Sequence, residues 1–149
     1  MLSIERARAF VVDPAHGAID MFIGVVRNHH EGKPVKGISY DIHESLAEKI
    51  LCAICEEATG IWPGTKYYVS HYQGTLDVGG TSVIIAVSAA HRADVFEACR
   101  YVIEELKKRA PVWKKEHYMD GESAWLPGHS LATEADTQIA FCEKCHAEG

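Results

Sequence analysis

Apolar and polar positions along the chain alternate in two periods, and the places where the period changes mark the elements. Residues 81–89 (TSVIIAVSA) are apolar and β-branched almost throughout, which predicts a central strand. Residues 17–26 (GAIDMFIGVV) read as a second buried strand, and 35–42 alternate well enough for a third. Further strands are predicted at 66–73 and 112–118, with a short one at 124–126. The polar stretch 27–34 (RNHHEGKP) reads as a loop and the glycine-rich 76–80 as a turn. Leu46, Ile50, Ile54 and Ala58 recur every four residues, with Ala47 and Leu51 beside them, and predict a helix over 45–59 ended by Gly60 and Pro63. A second helix is predicted over 93–109. Its inner stripe is Val95, Cys99, Val102 and Leu106, flanked by Phe96 and Ile103. Lys107, Lys108 and Arg109 suit the negative end of its dipole, and Pro111 stops it. Met21, Trp62 and Phe96 are read as core. Strands and helices mix without a regular βαβ rhythm, so the class is α+β. One domain is expected over 1–128, followed by a small, polar and loosely ordered tail over 129–149.

Composition narrows the function classes. A chain of 149 residues, 47% apolar and 24% charged, suits one soluble domain with one core. No apolar run approaches the roughly 20 residues that cross a bilayer, and the first residues hold no apolar leader segment. A cytoplasmic protein without a membrane partner is the expectation. The net charge of −6 argues against nucleic acid as a partner. Five cysteines, an odd number in a chain of this size, fit reduced thiols better than a disulfide framework. Cys142-Glu143-Lys144-Cys145-His146 matches the haem c attachment pattern, but that chemistry needs an exported chain. Cys52 and Cys55 form a second CxxC mid-helix, where thiols usually pack. A zinc site joining both pairs stays open as an alternative, although such sites normally sit on turns.

Three stretches carry candidate chemistry. Ala90-His91-Arg92 lies between the best strand and a helix, where free helix amides and an arginine can meet an anion. The alternative is a surface turn. Residues 107–115 (KKRAPVWKK) hold five cations in nine positions. Lys108 reads as a solvated helix end. Lys107 and Lys114 flank the Pro111 break and are able to face one side. Lysines near other cations and partly desolvated lose proton affinity and can act as acid or base. Arg27 closes an apolar strand and faces either a pocket mouth or a surface ion pair. His16, His43, His71, His117 and His129 have no metal-ligand spacing and receive no catalytic role.

Taken in order, these stretches resemble the large, catalytic subunit family of molybdopterin synthase. The resemblance rests on Gly17-Ala18, Phe22-Ile23-Gly24-Val25-Val26-Arg27-Asn28, Tyr40-Asp41, His71 with Gly74 and Gly79, His91-Arg92, and Leu106-Lys107 through Ala110-Pro111-Val112-Trp113-Lys114-Lys115-Glu116, with Trp125 beyond. It covers roughly residues 3–128. No single motif decides it; the ordered set is specific. Tyr72, Gly80, His43 and Val25 depart from frequent family residues, and Val25 puts a substrate contact in doubt.

The resemblance implies a two-layer α/β-hammerhead type of α+β fold with an additional antiparallel sheet. It implies a homodimer carrying a small ubiquitin-like subunit at each end, a heterotetramer in all. The small subunit ends in a Gly-Gly thiocarboxylate that delivers sulfur. The substrate is cyclic pyranopterin monophosphate, and two sulfur transfers give the dithiolene of molybdopterin. Lys107 and Lys114 are the implied catalytic residues, with Lys107 nearest the partner's terminal glycine and Lys114 on the pterin side. Phe22, Arg27, His91 and Arg92 are the implied substrate-binding residues. No metal or other cofactor is expected, and Cys142, Cys145 and His146 inherit no role. Residues of both protomers are able to contribute to one pocket. Two other classes compete: a non-catalytic binding homologue, and a small metal or thiol-redox protein using the CxxC pairs.

Overall fold

The computed structural model describes residues 1–121 and the backbone of 123–125 and 138–142. In chain order the elements are α1 (Ile4–Val11), β1 (Ala18–Val25), β2 (His29–His30), β3 (Lys33–Ile42), α2 (Glu44–Ile61), β4 (Lys66–Asp77), β5 (Thr81–Ala89), α3 (Arg92–Arg109), β6 (Val112–Tyr118), β7 (Ser123–Trp125) and β8 (Gln138–Cys142). The strands form one antiparallel sheet in the order β1-β5-β4-β3-β6-β7, with β2 on β3 and β8 on β4. The α+β class read from the sequence is the one observed.

β4 organises this sheet because it is long enough to serve two sets of neighbours. Lys66 to His71 pair with β5, whereas Gly74 to Asp77 pair with β3. Gly74 stands at the junction with φ +122, a backbone conformation that a side chain would strain. β8 lies along Val69 to Gln73, ahead of β3. Five residues of the stretch expected to be loose are therefore a paired strand, and the rest of 129–149 lies outside the described residues.

α2 and α3 cover one face of the sheet. Leu51, Ile54, Cys55 and Ala58 of α2 meet Val95, Cys99, Val102 and Leu106 of α3 over Tyr67, Val69, Val83, Ile85 and Val87. The predicted stripe of α3 is the buried one. That of α2 is rotated: Ala47, Leu51, Ile54, Cys55 and Ala58 are buried, and Leu46 is exposed. Phe96, expected in the core, is 61% exposed. It sits about 100° round the helix from the stripe, where only a flanking element could cover it. Met21 and Trp62 do pack against the core.

α1 is an element the periodicity did not predict. Ser3 caps it by accepting from the Arg6 amide at 3.1 Å. Ala7 and Val11 then bury against Tyr68, Tyr72, Ile84 and Ala86 on the opposite face of the sheet. Residues this small, spaced over eight positions, leave too little of an apolar stripe to recognise. Among the described residues no helix is long and apolar enough to cross a membrane.

Candidate active site

The C-terminal end of β1, the last turn of α3 and one face of the β3–β6 pair converge on a recess of about 390 Å³. Phe22, Arg27, Lys107 and Lys114 all line it. Four residues chosen on a sequence pattern spanning almost a hundred positions thus share one cavity, of a size suited to a small ligand.

Each side chain has a local reason for its position. Gly24 lets β1 approach β5 closely: a Cβ there would lie 2.6 Å from Val83 Cγ1. Two residues on, Val26 is buried and held from both sides. Its amide donates to Gly80 O at 3.0 Å, and its carbonyl accepts from the Gly79 amide at 2.7 Å. This clamp on the β4–β5 turn fixes where Arg27 leaves the sheet. On β6 the period of two puts Lys114 and Glu116 on one face, opposite Tyr40 and Ile38 of β3. Lys115 and His117 take the other face, where Ser39 Oγ lies 2.6 Å from His117 Nε2. Lys107 comes from the last turn of α3, just before Pro111 starts the return into β6.

The stretch read as the loop 27–34 contains a tight hairpin. Val35 N donates to Asn28 O at 2.8 Å, and His29 and His30 pair with Pro34 and Lys33. Glu31 and Gly32 both have positive φ, +48 and +79, the signature of a two-residue type I′ turn. The hairpin brings His29 and His30 to the recess wall.

The recess holds mixed charge over a buried carboxylate. Glu116 is 2% exposed. Its Oε2 accepts from the Tyr118 hydroxyl at 2.9 Å, and its Oε1 lies 3.7 Å from Lys114 Nζ and 3.2 Å from His30 Nδ1. Partial loss of water, reinforced by the charge of Lys114, holds the Lys107 ammonium below the ordinary lysine range. Burial raises the Tyr40 phenol, a hydrogen bond with Ser82 opposes the rise, and the Glu116 charge adds to it. Behind Tyr40, the His71 ring stands edge-on at 5.0 Å between centroids. Burial pushes His71 down to about 4. The Tyr72 carbonyl, 2.8 Å from Nδ1, opposes this, and Lys107 adds to it. A neutral imidazole therefore backs the lysine.

His91 and Arg92 are placed elsewhere. His91 is the N-cap of α3, its side chain making no capping bond, and both residues are exposed. Lys107 is fifteen positions further along the same helix, about 22 Å away along its axis. One chain by itself does not bring these two residues to the recess. Lys108 is exposed and pairs with Glu105 at 3.5 Å, as befits a solvated helix end.

Sequence reasoning missed His30, Tyr40 and Glu116 as lining residues and gave His71 no role. The alternation of Lys114 and Glu116 along β6 was the one available signal. His30 left none, because only the turn geometry aims it inward. Of the cysteines, Cys55 and Cys99 are buried, and burial pushes the Cys99 thiol up to about 12, with Asp20 adding to the rise. Cys55 is raised further, again by burial. Both are packing thiols. No group of three potential metal ligands occurs among the described residues. Cys145 and His146 lie outside them.

Comparisons with known proteins give the family. The family model described as MoaE protein matches residues 1–109. The molybdopterin synthase catalytic subunit of Synechococcus elongatus is 44% identical over 134 residues, which cover 89% of this chain and 81% of the relative. The molybdopterin synthase catalytic subunit of Bos taurus is 42% identical over 124 residues, covering 83% and 66%. Among solved structures, molybdopterin synthase from Staphylococcus aureus superposes with a TM-score of 0.80 at 37% identity, covering 84% of this chain and 90% of the other. The chain belongs to the MoaE protein family.

Proposed function

We propose that this chain is a molybdopterin synthase catalytic subunit, a sulfurtransferase that turns cyclic pyranopterin monophosphate into molybdopterin. The sulfur comes from the thiocarboxylated Gly-Gly terminus of a small ubiquitin-like subunit. The observation that carries the reading is the convergence of Arg27, Lys107 and Lys114 on one recess in a chain of net charge −6. Each transfer forms a carbon–sulfur bond on the pterin side chain. Water then cleaves the acyl–sulfur bond, and the small subunit leaves as an ordinary carboxylate. Such a reaction needs an anionic tail held against an electrophilic carbon, which is a positioning task. It also needs fixed cations for the phosphate and for the charge that develops. Arg27 supplies the anion contact and Phe22 an apolar wall. Lys107, with its lowered proton affinity, is suited to proton transfer beside the terminal glycine, and Lys114 acts on the pterin side.

His91 and Arg92 join this site from a second copy. β1 is the last strand of the sheet, and Ile19, Phe22, Ile23 and Val25 on it are 37–58% exposed, an edge suited to pairing. Ala18, at the start of β1, pairs with Ala89, two residues before His91; Val25, at its end, borders the recess. Antiparallel pairing of two β1 strands about a two-fold axis sets the start of one beside the end of the other. Each recess then meets the partner copy's α3 N-terminus. The assembly is a homodimer with a small subunit on each copy, working in the cytoplasm.

The test is reconstitution. Purified chain, thiocarboxylated small subunit and pterin precursor should yield the dithiolene product. Lys107→Ala and Lys114→Ala should each lower turnover by roughly 10²–10⁴-fold, the worth of a positioned acid or base. Near-normal turnover in both variants would refute the assigned roles. Binding of the small subunit without any product would favour a non-catalytic binding homologue instead.

A further inference from the structure

Glu116 is the only carboxylate among the described residues lining the recess, and a lysine and a histidine meet at one of its oxygens. His30 Nδ1 and Lys114 Nζ both approach Oε1, at 3.2 and 3.7 Å, while Oε2 is occupied by the Tyr118 hydroxyl. The His30 side chain is 18% exposed, and Nδ1 itself is buried without a hydrogen-bond partner. It stands close to the carboxylate but off the line of a bond. A buried polar atom left unpaired beside a buried charge is costly unless a small rotation completes the pair. The hairpin holds this arrangement in place at the expense of a non-glycine residue, Glu31, in left-handed backbone.

We propose that His30 is a positioning residue that governs Lys114 through the carboxylate they share, Glu116. A protonated His30 turns Nδ1 onto Oε1 and takes over the carboxylate, which releases Lys114 toward the substrate. A neutral His30 leaves Oε1 to Lys114 and keeps that ammonium drawn back. One proton on an imidazole thereby decides whether the lysine is held or free.

Other charges facing His30 are accounted for. From its own hairpin, Glu31 Oε1 lies 3.7 Å from Nε2 and is exposed, and Lys33 is its cross-strand partner. Arg27 and His29 border the same wall, and Lys107 faces it from α3. Tyr40 faces it from β3 and Tyr118 from β6. Among the described residues, His30 and Lys114 are the side chains that meet at Glu116 Oε1.

The decisive measurement needs no turnover. The His30 imidazole is titrated by NMR in the purified chain, in Lys114→Met and in Glu116→Gln. Removing the competing lysine should raise the His30 midpoint, and neutralising the carboxylate should lower it, each by about half a unit or more. An unchanged midpoint in Lys114→Met overturns the proposal, whether or not Glu116→Gln folds. The activity arm rests on the sulfur-transfer reading. There, His30→Gln should be about tenfold slower than wild type at pH 6 and nearly equal to it at pH 8.5, with the loss in kcat rather than KM. Parallel pH profiles for the two would also overturn it. A wild-type chain that makes no product defeats the sulfur-transfer reading and leaves the NMR result standing.

Discussion

Single residues in and behind the recess are tuned by burial more than by close partners. His71 illustrates this and carries a stability consequence. Its folded pKa, about 4, lies below the ordinary 6.5, so between these values the unfolded chain binds the extra proton. Stability from the neutral ring is then complete above about pH 6.5 and is lost as pH falls toward 4. The loss amounts to about 3 kcal/mol over that window. Chemical denaturation at stepped pH should show this slope, on top of the carboxylate contribution. The difference between wild type and His71→Phe should isolate it. A constant difference from pH 7.5 to pH 4.5 would mean the imidazole is not held neutral. His71 was given no role from the sequence because spacing to other histidines was the only criterion applied. Its electrostatic link to Lys107 joins β4 to α3, which no local window contains.

Elements were legible where one face repeats often enough. β5 and β6 have the predicted bounds, and α3 begins one residue earlier than expected. α2 was found but with its stripe rotated, because Leu46, Ala47, Ile50 and Leu51 offer two apolar phases and only contact with the sheet selects one. α1, β2 and β8 were not found. Each is short, and each is stabilised by what it pairs with rather than by its own pattern. The β2–β3 hairpin is the functional case. Glu31 occupies a left-handed position where Asn is favoured ahead of Gly. Glu31→Asn should therefore raise the unfolding free energy by about 0.5–1 kcal/mol in urea titration. A lower value would show that the Glu31 carboxylate beside His30 outweighs the backbone strain.

At the scale of the whole molecule, the role proposed for His91 and Arg92 requires a second copy, because their own helix holds them away from the recess. Mixing tests this directly. A Lys107→Ala chain and an Arg92→Ala chain, each nearly inactive alone, should regain activity when dissociated and reassembled together. Random pairing in a two-fold dimer restores both groups at about a quarter of the sites. No recovery would place Arg92's effect within its own chain, or in folding. A related constraint acts inside one copy: β4 pairs with β5 over Lys66 to His71 and with β3 over Gly74 to Asp77, which ties the β3–β6 pair, with Lys114 and Glu116, to the same sheet as β1.

The sequence by itself determined the class of the fold, the main strands and helices, and which cations were candidates for a site. Periodicity, turn residues and residue chemistry are local properties and survive in a linear string. The tertiary structure alone decided which of those cations meet. It separated Arg92 from Lys107 by the length of a helix and added His30 and Glu116 to the cavity. Convergence depends on strand register and on which segments lie side by side, and these are set by contacts between segments far apart along the chain.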